Sequence, residues 1–254
     1  MRSLRRQDGF TLPELLIMLS MSLIVALAAF SLLDVTMKKT GEASARVQSA
    51  QYGRLAMDVV TRQLRSQVCL DTDPTTPPMA APTGFGQLSD NNDAVFYSDF
   101  TDPGTAVPLP ELHVLSYDPA KSQLLEKDYA GKVVTSTAAD GTVINTYTYP
   151  TANTTPARTK VLLANVAPYP AANSPVFTYY AYSSTSNPPR PDKLLSAASG
   201  LSAADASVVA RIDVSFRSLA DKTTASQPGS TVYQDTVYVR EADPNDDAPT
   251  PTCA

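Results

Sequence analysis

The chain contains few of the residues that usually perform catalysis or bind metals. Its 254 residues include two cysteines, one histidine and no tryptophan. Two cysteines and a single His113 cannot form a zinc site of the usual four-ligand kind. The sequence also has no G-x-S-x-G motif, phosphate-binding loop or dinucleotide fingerprint. We therefore predict that the chain is not an enzyme, and that it has no catalytic residue, no metal site and no cofactor.

Charged residues are scarce as well, at 18% of the chain, and they are unevenly distributed. The whole chain carries −5 and the first nine residues, with Arg2, Arg5, Arg6 and Asp8, carry +2, which leaves −7 for the remainder. An acidic body argues against nucleic-acid binding, which requires a basic surface. A short basic head is typical of the cytoplasmic side of a membrane span.

The cysteines, Cys69 and Cys253, are far apart in the sequence. Two interpretations remain open at this stage. They are either unrelated thiols or one disulfide, formed after export, that attaches the C-terminal tail to the end of the first long helix.

Two further features have a structural and a functional interpretation. The acidic C-terminal segment 240–251 is either a solvated tail or a calcium site. It lacks the loop glycine and the spacing of an EF-hand, so we expect a solvated tail. His113 lies in a predicted strand, and we expect a structural or solvent-facing side chain rather than a general base.

Residues 15–33 contain no charge, glycine or proline. As a helix, these 19 residues extend about 28 Å, close to the hydrocarbon thickness of a bilayer. A cleaved secretory signal has a shorter apolar core followed by a small-residue cleavage site. No such site stands out, so we expect the segment to remain attached as a transmembrane helix over 10–34.

Residues 35–69 are predicted to continue as an amphipathic helix of the head domain, which ends before the prolines of segment 74–82. Apolar residues recur there at helical spacing, while charged residues occupy other positions. The apolar positions are Leu55, Ala56, Val59, Val60, Leu64 and Val68, and the charged ones are Arg54, Asp58, Arg62 and Arg65.

Residues 70–254 are predicted to form a β-rich globular head with an acidic, proline-rich C-terminal tail. The strand-like runs are 94–100, 111–118, 123–130, 142–149, 160–166, 175–182, 208–219 and 231–241. Segment 194–207 is predicted to be a loop with at most a short helix. These elements together predict an α+β fold.

The sequence "GFTLPELL" at residues 9–16, after a basic leader and before the uncharged run, resembles the type IV prepilin cleavage motif. The resemblance implies that a membrane peptidase removes leader 1–9 by cutting after Gly9, and then methylates the new amine of Phe10. Thr11, Leu12 and Glu14 complete the motif. The retained helix would then become the core of a filament.

The head is similar, less specifically, to J-type minor pseudopilins of type II secretion and to PilW-like minor pilins. This similarity involves the arrangement of strands and five residues, Asn165, Val166, Phe177, Tyr179 and Tyr180. It implies a pilin fold, in which the long N-terminal helix packs on an antiparallel sheet. About 185 residues follow the helix, and a head of this size is easier to accommodate at a filament tip than in every repeat.

The resemblance implies a structural subunit of a type II secretion pseudopilus or type IV pilus, in its initiating or tip complex. Its partners would be the prepilin peptidase/N-methyltransferase, other major and minor pilins or pseudopilins, and the inner-membrane assembly platform. The protein would cross the inner membrane once, with the head on the extracytoplasmic side, and then enter the filament. The alternative is an exported binding protein or enzyme that is tethered by the helix.

Glu14 is the one carboxylate near the start of the apolar run. A carboxylate inside a bilayer costs several kcal/mol unless it has a partner. Cleavage after Gly9 would create that partner, the amine of Phe10 on the same chain or on a neighbour. A second interpretation is that Glu14 interacts favourably with the helix dipole, and both can hold at once.

Overall fold

The computed structural model describes residues 10–68, 78–82, 84–98, 110–137, 141, 143–150, 155–183, 188–220 and 230–239. The chain divides into two compact units, residues 1–47 and residues 48–254. The helices are α1 (Leu12–Arg65) and α2 (Ala203–Ser207). The strands are β1 (Asp93–Ser98), β2 (Glu111–Asp118), β3 (Gln123–Tyr129), β4 (Lys132–Thr137), β5 (Val143–Thr148), β6 (Arg158–Ala164), β7 (Val166–Pro168), β8 (Phe177–Ser183), β9 (Arg190–Leu194), β10 (Arg211–Ser218) and β11 (Thr231–Tyr238).

The strands form three antiparallel sheets in the described parts of the chain. The first has the order β1-β2-β3-β6, the second has the order β11-β10-β8-β9 with β7 also paired to β10, and β4 and β5 form a hairpin. A long N-terminal helix followed by antiparallel sheets confirms the predicted α+β class.

Every predicted strand run contains a strand, but the sequence prediction missed β4 and β9. Run 160–166 also divides into two strands at Asn165, whose φ of 58° is left-handed. As a result β6 pairs with β3 in the first sheet, while β7 pairs with β10 in the second. A turn follows β2 at Asp118, whose carboxylate accepts hydrogen bonds from the backbone N–H groups of Ala120 and Lys121.

Helix α1 buries one face of its C-terminal part in the second unit. The buried residues are Ser49, Gly53, Ala56, Met57, Val60, Thr61 and Leu64, spaced three or four apart as an amphipathic helix requires. The predicted charged face is exposed, but the assignment of Leu55 to the apolar face is wrong, since its side chain is 60% exposed. The helix ends at Arg65, and Gln67 forms a bridge to Ser98 of β1.

The first sheet is covered on both faces. Apolar side chains on one face, such as Phe96, Leu115 and Leu124, belong to the same core cluster as Val60 and Leu64 of α1. The other face forms a smaller cluster composed of Phe85, Val95, Tyr97, Leu112, Val114 and Tyr129. Neighbouring residues of each strand therefore point into different clusters, as the period of two in a strand requires.

The second sheet packs against an earlier turn of α1. Residues of β10 alternate between buried and half-buried, as expected for a strand with one face in the core. Ser218 of β10 donates a hydrogen bond to the backbone carbonyl of Ser49 at 3.0 Å, and Tyr233 of β11 donates one to the carbonyl of Ala50. Tyr179 of β8 donates to the carbonyl of Asp93 at 2.8 Å, which links the two sheets.

Gly53 permits this close approach of α1 to the second sheet. A Cβ atom at this position would overlap the ring of Tyr233 and lie 3.0 Å from Cβ of Ser218. The ring cannot move away without losing its hydrogen bond to Ala50. We predict that Gly53→Ala lowers the free energy of unfolding by about 1–3 kcal/mol through overpacking, despite the better helix propensity of alanine.

The measurement for this prediction is urea unfolding of the full chain in detergent micelles. Gly41→Ala is the matched control, since Gly41 lies in the same helix with nothing within 4 Å of an added Cβ. We expect this control to be neutral or stabilising. Equal effects of the two substitutions would contradict the packing argument.

Candidate functional site

The first candidate region is the start of α1. Phe10 and Thr11 precede the helix, Leu12 is its first residue, and Glu14 lies in its first turn. The backbone N–H of Leu15 donates to the carbonyl of Thr11 at 3.1 Å, so the helical hydrogen bonds begin immediately. The side chains of all five residues are exposed. Gly9, Arg2, Arg5 and Arg6 lie outside the described residues.

The uncharged run 15–33 is helical throughout, and every side chain in it is exposed. Among the described residues, α1 is the one helix long and apolar enough to cross a membrane. A core helix of a water-soluble domain would be mostly buried, so this surface requires lipid or other helices as its cover. Ser20 donates its hydroxyl to the carbonyl of Ile17 at 2.8 Å, which satisfies the donor within the helix. These properties are compatible with a single-pass membrane protein.

Charged residues return directly after this run. Asp34 forms an i,i+4 ion pair with Lys38 at 2.8 Å, and Lys39 pairs with Glu42 at 2.9 Å. All four side chains are exposed, as expected where a helix leaves an apolar environment for a polar one.

The second candidate region is a row of four residues across the first sheet. His113 of β2 is paired with Phe96 of β1 on one side and with Asp128 of β3 on the other, and Asp128 is paired with Arg158 of β6. Cross-strand partners project on the same face of a sheet. Leu115, two residues from His113 in β2, belongs to the core cluster that includes α1. His113 therefore lies on the face that α1 covers.

The His113 ring is surrounded by carboxylates. Its Nδ1 lies 3.0 Å from Oδ1 of Asp128 and 3.8 Å from Oε1 of Glu126, while its Nε2 lies 3.6 Å from Oε2 of Glu111. These contacts do not have hydrogen-bond alignment, and neither ring nitrogen makes a hydrogen bond to any described residue. The ring stacks on Phe96, with 5.8 Å between centroids and 16° between planes.

The carboxylates have other partners, which bind the second oxygen of Asp128 and the same Oε1 of Glu126 that faces His113. Nε of Arg158 donates to Oδ2 of Asp128 at 2.6 Å, and Nε2 of Gln63 in α1 donates to Oε1 of Glu126 at 2.5 Å. Burial raises the pKa of Asp128, but the interactions with His113 and Arg158 outweigh it, so the pKa is lower than usual. Asp128 is therefore ionised at neutral pH.

These buried groups can hold a cation. One atom each from His113, Glu126 and Asp128 lie within 4.8 Å of one another, and all three residues are buried.

The burial overturns the solvent-facing interpretation of His113. The sequence prediction also missed the grouping. The sequence pattern that could have revealed this grouping is a pair of alternating motifs, E-x-H (111–113) and E-x-D (126–128). Their side chains share a face once β2 and β3 are paired in register.

The residues of the weaker similarity lie near one another, and Val166, Phe177 and Tyr179 belong to the same core cluster. Asn165 lies between β6 and β7, Val166 is in β7, and Phe177, Tyr179 and Tyr180 are in β8. Cys69, Cys253 and the acidic segment 240–251 lie outside the described residues, so both interpretations of the cysteines stay open.

No family model, curated protein or solved structure matches the chain. A function must therefore be argued from the residues of the two candidate regions themselves.

Gln63 of α1 contacts the group formed by His113, Glu111, Glu126, Asp128 and Arg158, which we call the His113 cluster. We expect this contact to stabilise the fold. Gln63→Leu removes the donor to the buried Glu126 carboxylate, and we expect a loss of about 1–3 kcal/mol in the free energy of unfolding. Gln51→Leu is the control, since Gln51 is exposed on the same helix and should change stability by less than about 0.5 kcal/mol. Urea titration of the full chain in micelles measures both. A loss at Gln63 no larger than at Gln51 would contradict the assigned contact.

Proposed function

We propose that the chain is a minor pilin or pseudopilin, a structural subunit of a type IV pilus or type II secretion pseudopilus in its initiating or tip complex. The proposal includes a pilin fold, in which α1 is the N-terminal helix common to pilins and the β-rich unit is the head. Its partners are other pilins or pseudopilins, an inner-membrane assembly platform and a prepilin peptidase/N-methyltransferase.

The observation that carries the proposal is the order of features at the N-terminus. A basic leader, the sequence "GFTLPELL" and an uncharged helical run follow one another, and the run is fully exposed in the isolated chain. A filament core supplies the apolar cover that this helix lacks, and the bilayer supplies it before assembly. A tethered binding protein or enzyme needs an apolar helix too, but it needs neither Gly9 nor Glu14.

Glu14 has a defined role in this proposal. Its side chain is exposed in the first turn of α1, at the edge of the apolar run. Once that turn enters hydrocarbon or a filament core, an unpaired carboxylate is costly. The free amine of a processed Phe10, on the same or a neighbouring chain, supplies the opposite charge and favours one helix register over others.

The proposal predicts that a prepilin peptidase processes the chain. Co-expression with a prepilin peptidase is expected to shorten the chain by nine residues and to leave N-methylated Phe10 as the first residue. Intact-mass and N-terminal peptide mass spectrometry measure both changes. The control is expression in a host without the peptidase, where the leader should remain. A chain that retains Met1 beside an active peptidase would contradict the proposal and favour the tethered binding protein or enzyme.

The second prediction concerns assembly. Glu14→Ala should leave leader cleavage largely intact but lower incorporation into filaments severalfold, because the N-terminal amine loses its partner. Glu42→Ala is the control, since it makes the same change on the same helix beyond the apolar run, at a residue paired with Lys39. The measurement is the fraction of total protein in sheared filaments. Normal incorporation of Glu14→Ala would contradict the pairing role of Glu14.

A further inference from the structure

The His113 cluster has the composition and surroundings of a metal site. The His113, Glu126 and Asp128 side chains offer one nitrogen and two oxygen ligands, all within 4.8 Å of one another. We propose that these three side chains bind a divalent transition-metal ion of the zinc class. The proposal does not depend on the proposed role in a filament, since it concerns the folded head alone.

The two distances from Nδ1 of His113 to the carboxylate oxygens are close to those expected around such an ion. Metal–ligand bonds of about 2.0–2.2 Å at tetrahedral angles place neighbouring ligand atoms about 3.3 Å apart. Nδ1 of His113 lies 3.0 Å from Oδ1 of Asp128 and 3.8 Å from Oε1 of Glu126, one value on each side of that spacing. Water or the second oxygen of Glu126 would complete the coordination.

The His113 ring points to a ligand because both of its nitrogens are buried without an aligned hydrogen bond, although Nδ1 lies 3.0 Å from Oδ1 of Asp128. Its side chain is 1% exposed, and leaving such a group unsatisfied costs free energy. Coordination through Nδ1 satisfies one nitrogen and assigns the proton to Nε2, which faces Glu111. A metal-bound histidine with a carboxylate behind its other nitrogen is a recurrent arrangement in metal sites.

The two oxygen ligands are supported in the same way. Arg158 holds the second oxygen of Asp128, and Gln63 holds Glu126 from α1. Such outer contacts fix the orientation of ligands before the metal arrives. Phe96 stacks on the imidazole and fixes the plane of the ring.

The charge of the cluster also favours a divalent cation. Three carboxylates, those of Glu111, Glu126 and Asp128, face His113, and the cation Arg158 is bonded to one of them, Asp128. The net charge is −2 when His113 is neutral, and Arg158 is 63% exposed, so water screens much of its charge. Lys160 is paired in register with Glu126, but its side chain is exposed. A 2+ ion balances the charge, whereas protonation of His113 would leave −1.

The types of ligand atom limit which metal ions can bind at this site. Imidazole favours zinc and other late first-row metals, whereas calcium and magnesium prefer sets of oxygens. We therefore expect Zn²⁺ to bind more tightly than Ca²⁺ or Mg²⁺.

The test is Zn²⁺ titration of the full chain in detergent micelles, after chelator treatment and without a polyhistidine tag. We expect one Zn²⁺ per chain by calorimetry, and binding at least tenfold weaker for His113→Gln and for Asp128→Asn. Asp192→Asn is the control, because Asp192 is exposed on β9 and its substitution makes the same chemical change. Far-UV circular dichroism verifies that each variant is folded.

A second measurement needs no variant. His113 is the single histidine of the chain, so ¹⁵N-histidine labelling gives one pair of imidazole signals. Zn²⁺ is expected to shift the Nδ1 signal far more than the Nε2 signal. Absence of a shift, absence of binding by the folded wild type, or unchanged binding by folded His113→Gln would each overturn the proposal. Unchanged binding by that variant would assign the metal to the cysteines or the acidic tail.

Discussion

The packing of one face of α1 against both large sheets is the interaction on which the rest of the second unit depends. The turn around Gly53 contacts β10 and β11, and the turns from Val60 to Leu64 share a core cluster with the first sheet. Each fully buried aliphatic side chain on this face contributes about 1.5–3 kcal/mol. The polar contacts from Ser218 and Tyr233 satisfy donors that the same packing buries. One helix face therefore determines where both sheets lie within this unit.

Sequence patterns predicted the elements better than their partners. β2 matches its predicted run residue for residue, because turn residues bound it on both sides and its apolar content is high. β9 was missed because Pro191 lies within it, and a proline is compatible only with limited positions in a sheet. Leu55 was misplaced since helical periodicity gives the spacing of a buried face but does not determine which of two adjacent apolar rows is covered. Met57, which was not counted, occupies the buried row.

The two candidate regions differ in how much of them a sequence can reveal. The N-terminal segment is contiguous, so its motif can be recognised from the sequence without any knowledge of tertiary contacts. The His113 cluster is assembled from β2, β3, β6 and α1, and Gln63 and Glu126 are 63 residues apart. Strand register and the packing of α1 on the first sheet bring these groups together, and both are non-local properties. The chemistry of the regions differs as well. Glu14 is exposed at the start of a helix, whereas Glu126 and Asp128 near His113 are bonded by side chains of the folded head.

The left-handed residue Asn165 has a consequence for how the head unfolds. It separates β6 from β7, so a single peptide segment is hydrogen-bonded into the first sheet on one side and into the second on the other. Its carbonyl accepts from Leu219 at 2.8 Å, and the next N–H, that of Val166, donates to Ser122 at 2.9 Å. Loss of either sheet therefore removes the anchor of a strand in the other. This shared segment favours unfolding of the two sheets together over intermediates that retain a single intact sheet.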